Sequence, residues 1–197
     1  MWLRIVLAGV VGGVVIFLVS FVTHGMFQLQ SRTLLNIPDS SSFTENLKER
    51  ALKPGFYIYP DMPTGQDRYD TEKMAEASKR FESGPTGLLL VARGGNDPML
   101  EMLGKEFVTN LLSALLAAWI VGLAGADVGF GRRWLAVMAI GLIAWLSLAA
   151  SYGIWYRFPH DFIHEEAICA IAEWSIAGLA IAAIARRPPV IGQPLPV

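Results

Sequence analysis

The sequence predicts an all-α membrane protein: four transmembrane helices with a small extracytoplasmic α/β cap between spans one and two. Three observations carry this reading. The 197 residues are 53% hydrophobic and only 17% charged, against about 25% charged in ordinary soluble domains. The apolar excess gathers in four blocks of about 20 residues, the length that crosses a hydrocarbon core. Between the first two blocks lies a polar segment whose composition is too ordered for a linker. A net charge of −1 provides no basic face for nucleic acid. The single cysteine, Cys169, excludes an intramolecular disulfide and a Cys-based zinc cluster.

The expected division is a transmembrane anchor over residues 1–24, a strand–helix–strand cap over 25–105, a three-helix membrane region over 106–187 and a cytoplasmic Pro-rich tail over 188–197. Span one runs from about Trp2 to Val22. Its apolar core is longer than that of a secretory signal, and Ser20-Phe21-Val22-Thr23-His24 contains no Ala-x-Ala cleavage site. It therefore reads as a retained anchor. Spans two, three and four are expected near Phe107–Ala124, Trp134–Ala150 and Ala167–Ala185. Only helices and closed barrels satisfy their backbone groups in lipid, and the absence of alternation selects helices.

Short positive segments set the expected orientation. Arg4 with the terminal amine, Arg132-Arg133 between spans two and three, and Arg186-Arg187 after span four fall on one side of a four-span chain. The positive-inside rule makes that side cytoplasmic, with both termini there. The ten Lys and Arg residues between Gly25 and Lys105 do not oppose this, because long segments cross largely regardless of charge. The expected location is a bacterial cytoplasmic membrane, with residues 25–105 periplasmic.

Within the long segment, Pro54-Gly55-Phe56-Tyr57-Ile58-Tyr59-Pro60 is an aromatic, β-branched run between turn formers and predicts a strand. Asp70 to Phe81 predicts a helix, with Asp70 or Thr71 as cap, acids leading and bases following, and Ser83-Gly84-Pro85 as the stop. Gly87 to Ala92 predicts a second strand, closed by Gly94-Gly95. So small a unit needs a further surface to pack against: the helices, a loop or a partner. Asn36 to Glu45 is expected to be mobile.

Small residues are expected to hold the spans together, because lipid removes the hydrophobic drive between helices. Gly9 and Gly13 in span one and Gly178 in span four provide such contact points. Trp2, Trp119, Trp134 and Trp155 fall near span ends, as interfacial aromatic residues do.

The residues that carry chemistry lie at the outer ends of the spans. His24 closes span one, and His160 and His164 open span four, one helical turn apart. Glu165 and Glu166 follow. At 100° per residue, Phe162, Glu165, Glu166, Cys169 and Glu173 cover a stripe about 100° wide, with His164 opposite its centre. Glu173 lies roughly 10 Å below the outer boundary. A carboxylate at that depth requires a partner or a proton, so it is expected to face the bundle and to be largely neutral. Asn110, Ser113, Ser147, Ser151 and Tyr152 are at a depth to bond it.

Three functions fit. The first is a non-enzymatic accessory or scaffolding subunit of a membrane complex, whose partners are the lipid bilayer and other membrane subunits. The second is a haem or transition-metal site at the periplasmic face, built from His24, His160 and His164 with Glu165 or Glu166. The third is proton or solute translocation through Glu173. Nucleophilic catalysis is unsupported: there is no Gly-x-Ser-x-Gly elbow, and a thiol within the membrane is inert.

Pro54-Gly55-Phe56-Tyr57, Gly84-Pro85-Thr86-Gly87, Trp145-Leu146-Ser147 and the run from Tyr152 to Pro159 resemble a group of small bacterial inner-membrane proteins. These share one anchor, an outside segment and three later spans. The resemblance implies fold and location, and it carries over no functional residue.

Overall fold

The computed structural model describes residues 2–92, 94–95, 97–124 and 128–185. The Arg186-Arg187 pair and the Pro-rich tail lie outside them. The chain divides into two compact units, one of Met1–Leu34, Asp97–Gly153 and Phe158–Val197, the other of Leu35–Asn96 and Ile154–Arg157.

The first unit holds four helices long and apolar enough to cross a membrane. Helix α1 (Trp2–Ser20) continues through a π-helical turn, Phe21–Met26. The later helices of this unit are α4 (Met99–Leu123), α5 (Phe130–Trp145) and α7 (His160–Ile184). Helix α1 packs on α4 and on α7, and α7 packs on α5, while α4 makes few contacts with α5 or α7. The bundle is thus strung in the order α4–α1–α7–α5, with α1 and α7 central.

Glycine makes the central seam. A Cβ at Gly9 would stand 2.7 Å from the Leu115 Cα, and one at Gly13 would stand 2.7 Å from the Leu111 Cα. These neighbours are backbone atoms of α4 and cannot move aside. A Cβ at Gly12 would stand 2.6 Å from the Ile181 Cγ1 of α7. Opposite the glycines, α4 presents the fully buried Ala114, Ala117 and Ala118. Such close approach gives the dispersion contact that holds helices together in lipid.

Indole and guanidinium groups join α5 to α7. The Trp134 Nε1 donates to the Ser175 carbonyl at 2.9 Å, and the Trp145 Nε1 donates to the Ile163 carbonyl at 3.2 Å. Trp134 also packs over Gly178, so it does more than mark a membrane boundary. Arg133 is buried, with its Nε 3.0 Å from the Ala182 carbonyl, and it donates to the Val128 carbonyl as well. A charged donor on the last turn of α7 suits the negative end of that helix.

The helices extend beyond the expected spans, span three starting at Phe130 and span four at His160. Span two begins at Met99 rather than Phe107, because Glu101 and Lys105 are an exposed i,i+4 ion pair at 2.8 Å on its first turns. Span one runs past Val22 through the π-turn. Span three does not stop at Ala150: a π-helical turn, Leu146–Ala150, leads into α6 (Ser151–Tyr156). The Ser147 hydroxyl, bonded to the Ile143 carbonyl at 2.6 Å, competes there with the regular ladder.

The second unit contains α2 (Ser40–Glu49), β1 (Gly55–Tyr59), α3 (Thr71–Ser83) and β2 (Gly87–Val91). The strands are antiparallel, with Gly55 opposite Val91 and Tyr59 opposite Gly87. Asp70 caps α3 by accepting from the Glu72 and Lys73 amides at 3.0 and 3.2 Å. The Lys73 ammonium lies above its ordinary pKa range, chiefly through the hydrogen bond it donates to Asp67 and then through that carboxylate's charge. Helix α2 occupies most of the stretch expected to be mobile. Asp39 starts it, accepting from the Ser42 amide at 3.4 Å, and none of its residues is buried, so it leaves no apolar periodicity to read. The further surface this unit needs comes from Ile154–Arg157. Trp155, Tyr156 and Arg157 line a cavity of about 70 Å³ with Ile58, Phe81 and Leu88.

Replacing Gly13 with Val is expected to destabilise the membrane unit by about 2 kcal/mol. Gly104→Ala, where nothing lies within 4 Å, is expected to be neutral or stabilising. Thermal unfolding of the two variants in one detergent measures the contrast.

Candidate functional site

The polar residues expected to carry chemistry gather where the π-turn of α1 meets α7. The π geometry is explicit in the backbone: the Phe27 amide donates to the Val22 carbonyl at 3.0 Å, five residues back. Thr23, buried within the turn, donates its hydroxyl to the Ser20 carbonyl at 3.1 Å. Such turns recur at functional sites in helices because they re-aim side chains. Here the turn carries His24, whose Nε2 lies 3.7 Å from the Glu173 Oε1.

The Glu173 carboxylate is largely covered, with 16% of its side chain exposed, and it pairs with His24. Ser147 is occupied with the Ile143 and Ala144 carbonyls. The Asn110 Nδ2 is buried with no hydrogen-bond partner among the described residues. The sequence reading had His24 closing span one without a partner; the π-turn carries it to the carboxylate.

The acidic stripe on α7 turns inward as its spacing predicts. Glu165, Glu166 and Glu173 are half-buried and Cys169 is buried, while His160 and His164 are exposed. Glu165 accepts the backbone N–H of Gln30, a residue held at φ 69°. Next to it, the Gln30 side chain adjoins Glu166. The chain after span one is thereby anchored to the start of α7. The Thr33 hydroxyl bond to the Gln30 carbonyl at 2.6 Å and the Arg32 bond to the Phe27 carbonyl at 2.8 Å fix the same segment.

His160 and His164 stand with ring centroids 6.5 Å apart on one helix, and His24 lies 3.7 Å from Glu173. Among the described residues, no three His, Cys, Asp or Glu side chains form a group that could hold a metal ion.

Beside the His24–Glu173 pair lies a cavity of about 830 Å³, lined by Phe17, Phe21, His24, Glu106, Glu166 and Glu173 among others. Glu106, on α4, was not singled out in the sequence. Directly after Lys105 of the exposed Lys105–Glu101 pair, it reads as one more surface charge. Its neighbour Lys105 is committed to Asp97 at 2.5 Å and to Glu101 at 2.8 Å.

Comparison with known proteins finds no matching family model, no matching curated protein and no matching solved structure.

The pair sets an expectation for substitutions. Glu173→Gln keeps an acceptor for the imidazole and is expected to be tolerated. Glu173→Leu leaves His24 without its partner and is expected to be worse. A double-mutant cycle of His24→Leu with Glu173→Leu, read by thermal unfolding, should give a coupling of about 1 kcal/mol; simple additivity contradicts the pairing.

Proposed function

We propose that the chain is a non-enzymatic accessory or scaffolding subunit of a larger membrane complex, in a bacterial cytoplasmic membrane. The observation that carries this reading is the uneven covering of the four spans. In the most apolar stretch of each, 33, 28 and 28% of spans one, two and four is buried, but only 11% of span three. Helix α5 touches its own chain chiefly along one side, through α7. Leu135, Leu142 and Ile143 on it are exposed. Beside them, a groove of about 550 Å³ runs between α5 and α7, walled by Met138, Leu142, Trp145, Ile171 and Trp174 and floored by alanines. Small residues on such a floor allow the close approach of another transmembrane helix.

In the proposed topology, the segments bearing Arg132 and Arg186 face the cytoplasm, and the polar unit of Leu35–Asn96 lies outside. Arg133 bonds the last turn of α7, and Gly122 near the end of α4 meets Ile5 near the start of α1. These contacts support a common side for the positive segments.

A second reading, proton exchange at Glu173, draws support from the His24–Glu173 pair. Against it, the spans carry no acidic or basic side chain between Glu173 and Arg133 on the way to the opposite end.

A photoreactive residue at Ile143 tests the first reading. In native membranes it is expected to yield a discrete adduct with one other integral membrane protein, and the same residue at Leu112 of α4 is not. Lipid adducts alone at both positions contradict it. For the topology, a cysteine at Glu76 should react with an impermeant reagent from outside intact cells, and one at Gly129 should not.

A further inference from the structure

We propose that the cavity between the π-turn of α1, the first turns of α4 and the start of α7 binds an amphiphilic organic cation: an amine or quaternary ammonium group carried on an apolar body. This goes beyond the accessory reading and is independent of it. The argument rests on four properties of one concavity.

Size comes first. About 830 Å³ is the volume of a site for a whole organic molecule, far more than a bare ion fills. Charge comes second. Glu106, Glu166 and Glu173 line the cavity, and no lysine or arginine does. His24 is the one lining group that can carry positive charge, and it already faces Glu173 at 3.7 Å. Lys105 is engaged elsewhere. The walls therefore repel an anion and leave carboxylates for a cation to meet. A metal ion is disfavoured by the same geometry, since among the described residues no three His, Cys, Asp or Glu side chains form a group that could hold one.

The third property is the apolar wall. Phe17 and Phe21 offer ring faces, and Met99 and Leu103 complete the side formed by α4. Phe17 is fixed by an edge-to-face contact with Phe107 at 5.4 Å. A ring held this way can present its negative face to an ammonium group, and the aliphatic side chains cover an apolar body. The fourth is the backbone. The helix leaves α geometry at Phe21–Met26, the stretch that supplies Phe21, His24 and Gly25 to the cavity. A regular helix there would rotate His24 off Glu173.

The test uses the full chain in phosphatidylcholine nanodiscs, with rhodamine 6G as a lipophilic cationic probe and fluorescein as an anionic control of similar size. Fluorescence anisotropy should show saturable binding of rhodamine 6G above the level of empty nanodiscs, and none of fluorescein. The combined Glu106→Gln and Glu166→Gln variant should bind at least tenfold more weakly. Glu76→Gln, on the exposed face of α3, should bind as the parent does. Circular dichroism checks that the variants keep their helices. A second measurement needs no variant: dicyclohexylcarbodiimide labelling of Glu106 and Glu166, mapped by mass spectrometry, should slow when the probe is present, with Glu76 unaffected. The proposal is overturned if rhodamine 6G binds no better than to empty nanodiscs, if the helical double variant binds equally well, or if the probe leaves the labelling of Glu106 and Glu166 unchanged.

Discussion

The membrane unit depends on how closely α1 can lie against α4 and α7. Helix α1 is the only element that packs extensively on both. Three glycines within five residues, Gly9, Gly12 and Gly13, make that possible: two admit the α4 backbone and one admits Ile181. In lipid there is no hydrophobic gain from bringing helices together, so contact area and backbone proximity must supply the attraction. A methyl group at Gly9 or Gly13 would push α4 away along the seam. The same seam sets the height of α1 relative to α7, and so decides which side chains meet at the upper end.

The polar groups follow from that placement. Once α1 is held beside α7, an α-helical continuation would carry His24 past Glu173. One turn of π geometry brings the imidazole to the carboxylate. Two of the acids of α7 then find partners: Glu165 meets a backbone amide and Glu173 an imidazole. Burying carboxylates near lipid is costly without such partners. The arrangement spreads that cost over the segment Thr23–Thr33, which is itself tied down by short local hydrogen bonds. The electrostatic result is a concavity with more acid than base, beside aromatic walls.

Much of the architecture was legible because the relevant signals are local and periodic. Apolar block length revealed the four spans, and short apolar runs bounded by turn formers revealed β1 and β2. Asp70 ahead of an acid-to-base gradient revealed α3. The stripe of Glu165, Glu166, Cys169 and Glu173 was readable from angular spacing alone, as was the outward placement of His164. What escaped depends on other parts of the chain. Helix α2 buries nothing, so only the cap residue Asp39 marks it. The π-turn has no compositional mark in Phe21-Val22-Thr23-His24, and without it the His24–Glu173 pair was invisible. Arg133 was counted as a loop charge; its burial depends on the carbonyl of Ala182, 49 residues away. Glu106 resembled any exposed acid, and it is exposed; only its place on the rim of the cavity sets it apart.

The most direct check is a short cross-link between positions 24 and 173. With Cys169→Ser removing the native thiol, His24→Cys combined with Glu173→Cys should be bridged intramolecularly by a short bifunctional methanethiosulfonate reagent in native membranes, since the two side chains meet at their tips. His24→Cys combined with Leu148→Cys serves as the comparison. Cross-linking of the first pair and not the second is the predicted result. Failure of the first pair to cross-link while the second does so would contradict the placement of α1 against α7, and with it the cavity and its charge.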